Sequence, residues 1–123
     1  MWEDTTIAAL GKGLEGTRQQ LETIANNLAN AETPGYRAVH VSFEESLQRA
    51  LRAAPGRQQE AIARVRPEGM AQVGNSLRHD GNTVDLEAEV VTLGEAGLRY
   101  RVLARLLHKK LQMLHEVIGG GGR

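Results

Sequence analysis

Ala25-Asn26-Asn27-Leu28-Ala29-Asn30-Ala31-Glu32-Thr33-Pro34-Gly35-Tyr36-Arg37 carries an amphipathic helix into three asparagines and a Pro-Gly turn. Each asparagine costs a helix about half a kcal/mol relative to alanine, so three within five residues oppose the helix they sit on. Something outside the helix compensates. Upstream, Ile7, Leu10, Leu14, Thr17, Leu21, Ile24, Leu28 and Ala31 alternate steps of three and four, a heptad seam. The spacing predicts a helix over 5–31, roughly 40 Å long, with Asp4, Thr5 or Thr6 supplying the N-cap oxygen. On its wheel Asn26 and Asn30 face away from the seam and Asn27 flanks it. Either their amides address a neighbour beside the intramolecular partner, or the asparagines loosen a C-terminus, a place where Asn is common. Pro34 disfavours α conformation at Thr33, so the helix ends by Glu32. Thr33-Pro34-Gly35-Tyr36 then reads as a type II turn with Gly35 at positive φ.

A second seam lies at the other end of the chain. Leu86, Val90, Leu93, Gly97, Tyr100, Ala104, Leu107, Leu111, Leu114 and Ile118 alternate four and three, predicting a helix over 85–118, roughly 50 Å long. Asp85 is its N-cap candidate, Glu87 and Glu89 suit the first turn, and Arg105, His108, Lys109, Lys110 and His115 suit the negative end of the dipole. Gly119–Gly122 is expected to terminate it. Gly94 and Gly97 cost up to about 1 kcal/mol each in mid-helix and mark either a close approach of another helix or a soft spot. Neither seam is buried by its own helix. The expected fold is all-α: two long N- and C-terminal amphipathic helices pairing as a coiled-coil-like unit, antiparallel or steeply crossed.

The chain divides into 1–37, a middle segment 38–82, and 83–123, with helices 5–31 and 85–118 forming one helical domain. In the middle, Ser42-Phe43-Glu44-Glu45 matches a capping box. A short helix follows, with Phe43, Leu47, Ala50 and Leu51 on one face, ending before Pro55-Gly56. From Pro55 to Asn82 the chain reads as largely irregular. Ala61–Val65 and Met70–Val73 are strand candidates too short to assign, and Asp80-Gly81-Asn82 is a turn.

Composition narrows the function classes. Fifteen basic and fifteen acidic residues balance, which favours neither nucleic-acid binding nor an acidic tail. The arginines of 57–78 have no aromatic interleaving and no recognisable nucleic-acid module. The chain has no cysteine, so disulfides and thiolate metal sites are excluded. His108 and His115 share a helix face but stand about 10 Å apart along the axis, too far for one metal ion. No nucleophile elbow or phosphate-cradling loop is present, so no enzyme, cofactor or small-molecule substrate is expected. Met1-Trp2-Glu3-Asp4 lacks the basic start and apolar run of a cleaved signal, and no stretch reaches the length of a membrane span.

The wording A-N-N-L-A-N-x-x-T-P-G-Y over residues 25–36 closely resembles the N-terminal signature of the bacterial flagellar axial proteins. Asp80-Gly81-Asn82-Thr83-Val84-Asp85-Leu86, Leu98-Arg99-Tyr100, Leu106–Leu114 and Ile118-Gly119-Gly120 resemble the C-terminal region of one basal-body rod family. The Arg-x-Tyr-x-x-Asn pattern that ends other rod and hook proteins is missing. The resemblance implies a structural subunit of the proximal rod, in the periplasmic part of the basal body, exported by the flagellar type III apparatus without a cleaved signal peptide. It implies partners of three kinds: copies of itself and other rod proteins, the membrane-ring protein or its adaptor at the rod base, and the export apparatus. Asn26, Asn27, Asn30, Pro34, Gly35 and Tyr36, with Leu107, Leu111 and Leu114 of the C-terminal seam, are the expected assembly residues. Phe43 and Leu47 fit the Phe-x-x-x-apolar element read at the export gate, or are a packing contact. The alternative is a soluble helical adaptor or chaperone that binds a partner helix, which leaves the Asn-rich end unexplained.

Overall fold

The computed structural model describes residues 2–74 and 76–120. Two long helices, α1 (Trp2–Ala29) and α4 (Leu86–Gly120), flank a middle segment of β1 (Val39–Ser42), α2 (Glu44–Leu51), α3 (Gln58–Arg64) and β2 (Glu68–Ala71). α1 starts before Thr5, so Asp4, Thr5 and Thr6 lie inside it rather than capping it. α4 is capped as expected: the Ala88 amide donates to Asp85 Oδ1 at 3.1 Å. Gly119 and Gly120 continue the helix instead of ending it, and Gly121 and Gly122 lie outside the described residues.

The helices run antiparallel. Ile7 of α1 lines one groove with Leu114 of α4, Gly13 meets Leu103, Ile24 and Ala96 line a second groove, and Asn27 reaches Glu89. Small and polar residues form this contact: Gly13, Gly16, Thr17 and Asn27 are buried on α1, Glu89 and Ala96 on α4. Half-buried leucines such as Leu103 and Leu114 of α4 line the rest of it, so only part of the expected leucine seam serves the pairing. Along α1 the seam positions Thr17, Ile24 and Ala31 are buried, and the leucines between them are half-buried. Along α4 the seam leucines turn mostly outward. Apolar period reports which faces of a helix avoid water but not which partner each face meets.

The all-α expectation is corrected by a two-stranded antiparallel sheet that pairs Val39 with Ala71 and Ser42 with Glu68. Val39 and Val41 are half-buried while their neighbours point to solvent, the alternation of a one-sided strand. Ala61–Arg64 belongs to a helix rather than a strand. The first residue outside α2 is Phe43, which has no side-chain cap. Ser42 is spent in the strand, and Glu44 rather than Glu45 turns back to accept the Phe43 amide at 3.0 Å.

Phe43, Ala50, Ile62 and Val65 form the main apolar cluster, closed by Ala8 and Ala9 of α1, Leu47 and Ala61. The Phe43 ring lies flat on Gly16, where an added Cβ would stand 2.5 Å from its carbons. Glycine is required there for the close approach, and burial of the ring contributes about 1.5–3 kcal/mol. No neighbour stands within 4 Å of a Cβ built on Gly94 or Gly97, so no close approach inside the chain explains them.

Candidate assembly surfaces

The Asn-rich stretch builds a closed polar junction. Asn27 is fully buried and its amide is saturated. Nδ2 donates to the Val39 carbonyl (2.8 Å) and to Glu89 Oε1 (3.2 Å), while Oδ1 accepts from the Val39 amide (3.0 Å) and the Tyr36 hydroxyl (3.1 Å). The side chain thus holds Val39 as a neighbouring strand would, and it links α1, β1 and α4 at one point. Glu89, 3% exposed, receives His40 Nε2 on the same oxygen at 3.0 Å. The expectation that Asn27 faces a neighbour is corrected: its hydrogen-bonding capacity is used inside the chain.

Asn30 is also turned inward on its own helix end. Its Nδ2 donates to the Asn26 carbonyl at 2.8 Å, and its Oδ1 accepts from Thr33. Asn26 is the exception among the three, with its amide exposed. Pro34 and Gly35 are exposed and Tyr36 half-buried. The turn is as expected, closed by the Tyr36 amide on the Thr33 carbonyl (3.2 Å) with Gly35 at φ +73.

The residues that complete this junction come from the segment that the sequence presents as irregular and from the Asp80-Gly81-Asn82 turn. Asn82 is buried, and its Nδ2 donates to the carbonyls of Asn30 and Thr33 at 2.8 Å each. Its Oδ1 accepts the Val84 amide at 2.7 Å. Arg78 donates to the Ala31 carbonyl and pairs with Asp80 at 3.1 Å. The last carbonyls of α1, those of Asn26, Asn27 and Leu28, are met by the amides of Asn30 and Ala31, and the turn that follows the helix has its carbonyls at Asn30, Ala31 and Thr33 met by side chains some fifty residues away. The arginine also sets a positive charge at the negative end of the α1 dipole. The Gly35 amide donates to the Asp80 carbonyl at 2.7 Å, and the Thr83 amide to the Tyr36 carbonyl at 3.0 Å. The two glycine turns lie back to back, Gly81 at φ +80. The visible signal was Asp-Gly-Asn itself, an Asx-rich turn whose side chains bond backbone. Its partner was not readable.

Beside the junction, a groove of about 230 Å³ opens between α1, β1 and α4. At its mouth Gln20 Nε2 donates to Glu44 Oε1 at 2.6 Å, and the Arg99 guanidinium stands 3.8 Å from the same oxygen. Burial pushes the Glu44 carboxyl up, but the Phe43 amide, Gln20, its own amide and Arg99 outweigh it and hold it below the usual value. Phe43 is buried in the main cluster and Leu47 is half-buried against it, so the folded chain conceals the ring and only part of Leu47. Of the C-terminal trio, Leu107 and Leu114 are half-buried and Leu111 is 48% exposed. What the sequence presents as a core seam is therefore largely a surface.

Comparison with known proteins agrees with a rod subunit. The family described as "Flagella basal body rod protein" matches residues 7–37. The chain is similar to the flagellar basal body rod protein FlgB of Cereibacter sphaeroides, at 34% identity over 87% of each chain. It is similar to FlgB of Salmonella typhimurium, at 27% identity over 96% of each. Against FlgB of Bacillus subtilis the identity is 27%, over 94% of this chain and 95% of that one. Since these matches run through both long helices and the segment between them, the chain belongs to the FlgB family of flagellar basal body rod proteins, which are structural proteins and not enzymes.

Proposed function

We propose that the chain is a subunit of the proximal rod. It leaves the cytoplasm unfolded through the flagellar type III apparatus, without a cleaved signal peptide. It then assembles in the periplasm with copies of itself and other rod proteins into a helical axial structure, seated on the membrane-ring protein or its adaptor. The observation that carries this reading is α4, a helix 35 residues long that exposes apolar side chains from Leu86 to Ile118 in a chain of rod-protein ancestry. Exposed apolar area on this scale marks an interaction surface. The coiled-coil-like seam of α4 serves contacts between subunits, and the α1–α4 pair is the assembling unit. Phe43 is buried once the chain folds, so Phe43 and Leu47 are readable together as an export element only while it is unfolded.

Leu111→Asp tests the reading. At an exposed position the substitution changes the stability of the isolated chain by no more than about 0.5 kcal/mol, whereas an unpaired charge buried in an assembly costs several kcal/mol. The variant is expected to fold and to be secreted, and to leave cells without rods and non-motile. Normal swimming with Leu111→Asp as the sole copy refutes α4 as an assembly surface.

A further inference from the structure

α4 carries two exposed apolar stripes rather than one. Leu86, Val90, Leu93, Tyr100, Leu111 and Ile118 form the first. Val91, Leu98, Val102, Leu106, Met113 and Val117, at steps of seven and four, form the second. At about 100° per residue they lie on opposite flanks of the line Glu89, Ala96, Leu103 that faces α1. The helix is also polarised in charge. Leu86–Leu98 exposes Glu87 and Glu95 and no basic residue, Glu89 being buried against α1, while Arg99–Ile118 holds Arg99, Arg101, Arg105, Lys109 and Lys110 against Glu116 alone.

Resting on the rod reading, we infer that the α4 helices of adjacent copies of this chain pack parallel, the first stripe of one against the second stripe of the next. The copies are displaced by about thirteen to fourteen residues, or about 20 Å. Side-by-side packing without displacement sets acidic half against acidic half and basic against basic. The displacement brings the acidic half of one copy beside the basic half of the next, with Leu93 level with Leu106 and Glu87 level with Arg101. A two-fold antiparallel pair would also match charges, but it buries one stripe twice and leaves the other in water. Only a contact between unlike stripes covers both, and such a contact, displaced along the helix axis at each step, continues as an open helical assembly rather than closing into a ring. The direction and step of the assembly are thereby written into one helix.

The chain has no cysteine, which permits a clean cross-linking test in isolated basal bodies. Leu93→Cys and Leu106→Cys are combined in one full-length chain and treated with a short bis-maleimide. A ladder of two, three and more chains is expected from the double variant and none from either single variant. Dimers from Leu93→Cys alone overturn the contact between unlike stripes. A ladder from Val91→Cys with Leu93→Cys, and none from Leu93→Cys with Leu106→Cys, overturns the displacement. An immunoblot for the wild-type chain in the same basal bodies separates the two readings: its absence defeats the rod reading, and its presence without a ladder defeats this interface alone. A second arm uses charge. Glu87→Arg and Arg101→Glu, exposed and without ion-pair partners among the described residues, each lower incorporation about ten-fold, and combining them restores it. Failure of the combination to restore incorporation overturns the inference, because within one chain the two sites are too far apart to compensate.

Discussion

Asn27 makes all four hydrogen bonds that its amide allows, and three of its partners belong to the strand side of the junction. Replacing it with leucine keeps the size of the side chain but leaves the Val39 amide and carbonyl and the Tyr36 hydroxyl unpaired in a buried place. Each such group costs about 1–3 kcal/mol. Asn27→Leu is therefore expected to destabilise the chain by at least about 3 kcal/mol, read as a lowered urea midpoint. Asn26→Leu, at an exposed amide four bonds poorer, is expected to stay within about 0.5 kcal/mol. Equal changes for the two variants, both toward the higher stability that the better helix propensity of leucine gives, would show that propensity, and not the junction, sets the outcome.

Elements are joined here by polar side chains reaching backbone ends. Asn82→Ala removes both donors to the Asn30 and Thr33 carbonyls, so amide exchange is expected to speed up in the last turn of α1 and in β1 while the Phe43 cluster keeps its protection. Uniform acceleration throughout the chain would mean that the junction and the cluster unfold as one unit. The α1–α2–α4 contact carries a pH dependence through Glu44. Its folded carboxyl is held below the usual value, so its stabilising contribution is complete above the unfolded value and is lost as pH falls through the lowered one. Glu44→Gln is expected to lower the urea midpoint at pH 7 relative to wild type, with the gap closing below about pH 4. The gap is small because the side chain is half exposed and screened by solvent. A gap that widens in acid would contradict the assigned direction.

For the molecule as a whole, burial is concentrated at one end. Among the described residues α4 has none buried after Ala96, and beyond Arg105 only Leu107, Lys110 and Leu114 are even half-buried. Helical order that rests on so little burial is easily lost in a dilute chain. Hydrogen exchange of the isolated protein is expected to protect 86–104 well above 105–118, and incorporation into a rod to protect both. Even protection along α4 in the free chain would mean that the helix needs no neighbour.

The two long helices, the α4 cap at Asp85 and the Pro34-Gly35 turn were legible from the sequence because each depends on neighbours within a few residues. Periodicity, a capping side chain and a φ that only glycine adopts cheaply are local properties of the chain. The sheet was not legible, since its strands are four residues long and β1 is held by Asn27 as much as by β2. Nor was the role of Asn82 and Arg78, which serve carbonyls about fifty residues away that nothing in their own surroundings marks. The asparagines drew attention as a cost to the helix, but where that cost is met depends on which chain segment reaches Val39, Asn30 and Thr33. Amphipathic period likewise showed that α4 has apolar faces, while the folded chain determined that α1 covers a line of small and polar residues between them. A helix pattern records how many sides avoid water, and tertiary packing decides which side is covered within the chain and which is left for a neighbour.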